Sequence, residues 1–116
     1  MSKAAKSIFI FSIYMAAAGL GFMVAPNIPL VMLGFSATNE PWIRVVGMLM
    51  VILGYYYFQA SRKESEFFFR STVHVRPFVL VCFIIFAATG LADPMIILFG
   101  VIDLLGAIWT AFALRS

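Results

Sequence analysis

The chain has 116 residues, of which 64% are hydrophobic and only 11% charged, with a formal net charge of +3. A soluble domain this short needs a polar surface larger than those charges can supply, so the composition points to a lipid environment. The basic excess does not indicate nucleic acid, because Lys and Arg fall at segment ends and form no stripe along a polar face.

Apolar runs long enough to cross a bilayer recur four times. They predict an all-α integral membrane four-helix bundle, a single domain over 1–116, with helices at about 7–25, 42–61, 73–91 and 94–114. Strands are excluded on physical grounds. Four of them cannot close a barrel, and open edges would leave backbone groups unpaired in lipid.

Lys3 and Lys6 precede the first run, Ser7 to Ala25, and "AAAG" loosely resembles a signal-peptide cleavage region. The run exceeds a usual signal core and further spans follow, so it reads as an uncleaved first span. Ser12, Ala16 and Gly19 share one face of small residues, the kind that lets membrane helices approach closely. The connection 26–41, "PNIPLVMLGFSATNEP", is greasy and broken by prolines and Gly34. Two readings stay open for it: a short helix or turn lying back over the outer mouth, or an interfacial segment with no lid role.

The second run, "WIRVVGMLMVILGYYYFQASR", has Thr38 or Asn39 to cap it, Pro41 in its first turn and Trp42 at the interface. Arg44, Gly47, Val51 and Gly54 follow i, i+3, i+7, i+10, with Tyr55 alongside. Tyr55, Tyr56 and Tyr57 form an aromatic belt, and Tyr55 is expected to be the one that points inward.

Phe67–Phe69, beside Arg62, Lys63 and Arg70, either lie in the headgroup layer or are the ends of helices two and three; the second reading is preferred. An opening of the third span near Ser71 places Arg76 at the cytoplasmic interface, its guanidinium snorkelling outward. Cys82, the sole cysteine, reads as a small hydrophobe, and His74, the sole histidine, as an interfacial residue. In "GLADP", Gly90 suits a helix C-terminus, Asp93 an N-cap and Pro94 a first helical position, so helices three and four form a tight antiparallel hairpin.

The fourth run carries Asp103, about 13 Å below the outer end of its helix at 1.5 Å per residue. A charge near the bilayer centre costs at least about 2.5–3.5 kcal/mol, so Asp103 must face the protein interior and be paired or protonated. Gly100, Asp103, Ala107 and Thr110 share its face. Arg44 is the expected partner, its Cα about 9 Å away in depth, whereas Arg76 counts to about 15 Å and is the poorer choice. The roles left open for the pair are a packing contact, a proton relay or a ligand contact; for Arg44 alone, snorkelling to lipid phosphate is the alternative.

Orientation follows from the basic residues. Lys3, Lys6, Arg62, Lys63, Arg70, Arg76 and Arg115 fall on one side and Arg44 alone on the other, which puts both termini in the cytoplasm. Met23, Met32 and Met95 near the outer side raise Cu(I), but no Cys or His supports them, so no metal site is expected. "RVVG" and "DLLG" share a charge-x-x-Gly pattern, a hint of a duplicated hairpin. No phosphate loop and no Ser/His/Asp set is present, and no cofactor is indicated.

The stretches "WIRVVGMLMVILGYYYFQASR", "FFFRSTVHVRPFV" and "GVIDLLGAIWTAFALR" resemble small bacterial four-helix membrane proteins, broadly the DoxX-like group. That resemblance covers the last three helices. It implies a bundle in the bacterial inner membrane and transfers no catalytic residue; some members of the group accompany quinone-using membrane redox enzymes. Three functional readings compete: a non-enzymatic accessory or lipophilic-ligand-binding bundle, an oligomeric transporter or channel using Asp103, and a subunit of a quinone-linked redox complex. The first is preferred. The small multidrug transporters, similar in outline, carry their working glutamate in helix one, which here holds no acid. The partners implied are the lipid bilayer and either further copies of the chain or a larger membrane complex.

Overall fold

A computed structural model describes residues 1–115. Five helices follow in order: α1 (Lys3–Val24), α2 (Asn27–Met32), α3 (Trp42–Arg62), α4 (Glu66–Ala88) and α5 (Ile96–Arg115). No strand occurs among the described residues. The four longer helices are each long and apolar enough to cross a membrane. The described chain groups into two compact units, residues 1–8 with 60–115 and residues 9–59.

The joints explain where the helices stop. At the end of α3 the Ser65 N–H donates to Ala60 O at 3.1 Å, and Glu64 takes a left-handed φ of 52°. This is the wrapped helix end that satisfies the last carbonyls. α4 then starts at Glu66, well before the expected residue 73, and takes in Phe67–Phe69. An acidic residue in the first turn suits the helix dipole, and the Glu66–Arg70 ion pair one turn apart supports the added turns. Pro77 lies within α4 without ending it. Between α4 and α5, Gly90 has φ +79° and the Leu91 N–H reaches Phe86 O at 2.9 Å. Asp93 Oδ1 accepts the Met95 N–H at 2.9 Å just before α5.

In the 9–59 unit, the greasy connection folds into α2. Asn27 Oδ1 accepts the Thr38 N–H at 2.8 Å, which ties the start of α2 to the segment leading into α3. α1 and α3 run antiparallel with their backbones almost touching. A Cβ placed on Gly19 would lie 2.6 Å from Gly47 O, and one on Gly47 would lie 2.6 Å from Gly19 O. Further along, a Cβ on Gly54 would lie 3.1 Å from Ser12 O and 3.2 Å from Ala16 N. Small residues give this approach its dispersion contacts, which drive helix association where water is absent. Phe9 against Phe58 and Phe11 against Tyr57, with centroids 5.7 and 5.9 Å apart, flank the contact.

In the unit of residues 1–8 and 60–115, α4 and α5 form the hairpin. Gly100 sits on α4 so closely that a Cβ there would be 2.9 Å from Leu80 Cα. Ser2 opens α1, its Oγ accepting the Ala5 N–H at 3.0 Å. The same Ser2 donates through Oγ at 2.6 Å and N at 2.8 Å to the Glu64 carboxylate.

These two donors, the hydroxyl first, hold the Glu64 carboxyl below its ordinary pKa. A lowered folded-state pKa means that the tether contributes fully above the unfolded value and fades as pH falls through the folded one. In an NMR acid titration, the Ser2 amide resonance is therefore expected to stay fixed through the ordinary carboxylate range and to move only in stronger acid. Glu64→Gln should leave it in the released position at every pH. A Ser2 amide that titrates with an ordinary glutamate pKa would contradict the tether.

Candidate functional site

Polar side chains gather inside the unit of residues 1–8 and 60–115. Ser7, Ser61, Thr72, Arg76 and Thr110 are all buried, among Ile8, Phe69 and Ala107. The hydroxyls are engaged locally. Ser7 Oγ donates to Ala4 O at 2.7 Å and lies 2.8 Å from Thr110 Oγ1. Thr72 Oγ1 donates to Phe69 O at 2.8 Å, and Arg76 Nη2 approaches Thr72 Oγ1 at 3.5 Å.

Arg76 is 3% exposed, which corrects the expectation of a guanidinium snorkelling to the interface. It is the cation that acts electrostatically on Asp103. The hairpin register accounts for this. With Gly100 opposite Leu80, one turn further along each helix brings Asp103 to the level of Arg76. Counting depth from assumed helix ends misses that offset. On α4, Phe69, Thr72, Arg76 and Leu80 keep the spacing of a single face. On α5, Gly100, Ala107 and Thr110 are buried, and Asp103 shares their face half-buried.

Arg44 and Asp103, paired in the sequence reading, fall in separate units, and Arg44 is engaged within its own. Arg44 Nη1 donates to Met23 O at 2.7 Å and to Val24 O at 3.1 Å. Those carbonyls are the last of α1, where no helical N–H follows to satisfy them. A cation at a helix C-terminus also complements the helix dipole. So Arg44, one turn into α3, closes the end of α1. Gly47, Gly54, Gly19 and Ser12 are buried where α1 meets α3, with Ala16 half-buried beside them.

Tyr55 does not point inward; it is 59% exposed. Tyr57 is the tyrosine that packs, against Phe11. It follows Gly54 by three residues and so continues the glycine ridge, whereas Tyr55 is turned about 100° away from it.

Sequence reasoning passed over Ser7, Ser61 and Thr72, and named Arg76 only as the poorer partner of Asp103. The signal that ties Thr72 to Arg76 is the Phe69–Thr72–Arg76–Leu80 spacing, obscured by starting the third span at residue 73. Among the described residues no group of three or more His, Cys, Asp and Glu side chains converges as a metal site would require. Fold and site together define an all-α protein of four potential membrane-crossing helices with a buried polar seam in one unit. Comparison with protein families, curated proteins and solved structures finds no match to this chain.

Proposed function

We propose that this chain is a multi-pass protein of the bacterial inner membrane, a non-enzymatic four-helix bundle serving as an accessory subunit or a binder of a lipophilic molecule. Both termini lie in the cytoplasm. The carrying observation is the seam itself: a buried arginine acting on a half-buried aspartate within an apolar hairpin, ringed by hydroxyls engaged with helix carbonyls and with one another. Hydroxyls so occupied hold helices in place, and they leave the apolar outer faces as the working surface. Those faces are extensive. Leu49, Leu53, Ile84, Leu105 and Phe112 are all exposed, a pattern that in water would drive association and that lipid tolerates. The likeness of three stretches to the DoxX-like group supports the same reading.

The test is side-specific labelling. In a Cys82→Ser background, Ser36→Cys should react with an impermeant maleimide added outside intact cells, and Ser65→Cys only after permeabilisation. Labelling with the sides reversed would overturn the orientation. Recovery of the chain from lysate without detergent would overturn the membrane assignment. Mass spectrometry of native-membrane complexes then identifies the bound molecule or subunit, and turnover by the purified chain alone would refute the non-enzymatic reading.

A further inference from the structure

In the 9–59 unit, where α1 ends and α3 begins, a cavity of about 310 Å³ is lined by Ala25, Asn27, Thr38, Asn39, Glu40 and Arg44 among others. It is small, at the low end for ligand pockets, and polar where the neighbouring helices are apolar. It holds one cation and one anion that are not paired: among the described residues, no ion pair joins Arg44 to Glu40. Arg44 is half-committed. Nη1 serves the Met23 and Val24 carbonyls, and no other hydrogen bond is made by its guanidinium. The edge left over, Nε and Nη2, is the two-donor fork that matches two oxygens of a phosphate or carboxylate.

We propose that this cavity binds a zwitterion of the phosphoethanolamine class, the phosphate on Arg44 and the primary ammonium on Glu40. Three features select that chemistry. A simple anion would meet Glu40, and a simple cation would meet Arg44, so either would carry a like-charge penalty. The ligand's two charges must be held apart by more than an ion-pair distance. An α-amino acid has both on one carbon, while an ethanolamine phosphate separates them by a flexible two-carbon arm. The third feature is hydrogen bonding. A primary ammonium donates to a carboxylate and to amide oxygens such as those of Asn27 and Asn39, and a quaternary ammonium has no hydrogen to donate.

The charged group can come from a lipid head or from a soluble molecule. The apolar face beside the cavity favours the lipid, since Ile28, Val45, Val46 and Leu49 are exposed and could carry acyl chains. That lipid form rests on the membrane reading above; the cavity's chemistry does not.

Two arms test it. In the first, purified full-length protein in nanodiscs is exchanged with phosphatidylethanolamine, phosphatidylcholine or phosphatidylglycerol, and retained lipid is measured by native mass spectrometry. Phosphatidylethanolamine should be retained over both others by about tenfold, the worth of one charge-assisted hydrogen bond. Glu40→Gln should abolish the preference over phosphatidylglycerol, and Arg44→Gln should weaken all three. In the second arm, O-phosphoethanolamine is titrated into protein in a non-ionic detergent and followed by calorimetry. Binding there without lipid enrichment assigns the site to a soluble zwitterion. It would also report the cavity if the chain proved not to enter bilayers. Equal or greater retention of phosphatidylglycerol by the unaltered protein would overturn the proposal, as would failure of both arms. Arg44→Lys, which keeps the charge at the α1 carbonyls, separates loss of binding from loss of fold; if it binds like the unaltered protein, the fork has no role.

Discussion

Asp103→Leu is expected to destabilise the protein by about 1–3 kcal/mol, because it leaves the buried Arg76 charge without the nearby aspartate. Arg76→Met should cost less, since an aspartate can shed its charge by taking up a proton and an arginine cannot. The double variant Arg76→Met/Asp103→Leu should recover most of the loss. Two apolar side chains of similar bulk leave nothing charged inside the hairpin, and such replacements are often neutral or stabilising. Unfolding in mixed detergent micelles, run as a double-mutant cycle, gives the coupling directly. Losses that simply add would show that the two charges do not stabilise one another.

The second large effect is steric. Gly19→Ala and Gly47→Ala each place a methyl 2.6 Å from a backbone oxygen of the facing helix. A flexible side chain could move aside; backbone cannot without separating α1 from α3. Each substitution is expected to cost about 1–3 kcal/mol, the usual range for overpacking. Gly54→Ala, whose nearest contact would be 3.1 Å, should be milder. Gly21→Ala, which would meet only Pro29 Cγ at 3.7 Å, should be near neutral and serves as the control. Thermal or denaturant unfolding of the four variants ranks them. If Gly21→Ala and Gly19→Ala behave alike, the close approach of α1 and α3 is refuted.

Much of the helix layout is legible in the sequence because the signals are local. Apolar run length marks α1, α3, α4 and α5, and the proline and glycine punctuation marks the α4–α5 joint through Gly90 and Asp93. The start of α4 is the element least legible. Residues 62–72 mix charges with phenylalanines, and only the wrapped end of α3 and the Glu66–Arg70 pair reveal that a helix resumes at once. The candidate site divides in the same way. Periodicity alone groups Gly100, Asp103, Ala107 and Thr110 on one face, and it groups Arg44, Gly47 and Gly54 on another. It cannot tell which cation answers Asp103, because that depends on how far one helix slides along its neighbour.

By itself, then, the sequence determines the elements: four apolar runs, each long enough to cross a membrane, cut into helices by Pro and Gly, with small residues spaced along single faces. The tertiary structure decides the partners. Helical period places a side chain around an axis, but axial register between helices is set by close packing, such as Gly100 on Leu80 and Gly19 on Gly47. That register brings Arg76 to the level of Asp103, and it leaves Arg44 to cap α1 and to line, with Glu40, a cavity of opposite charges.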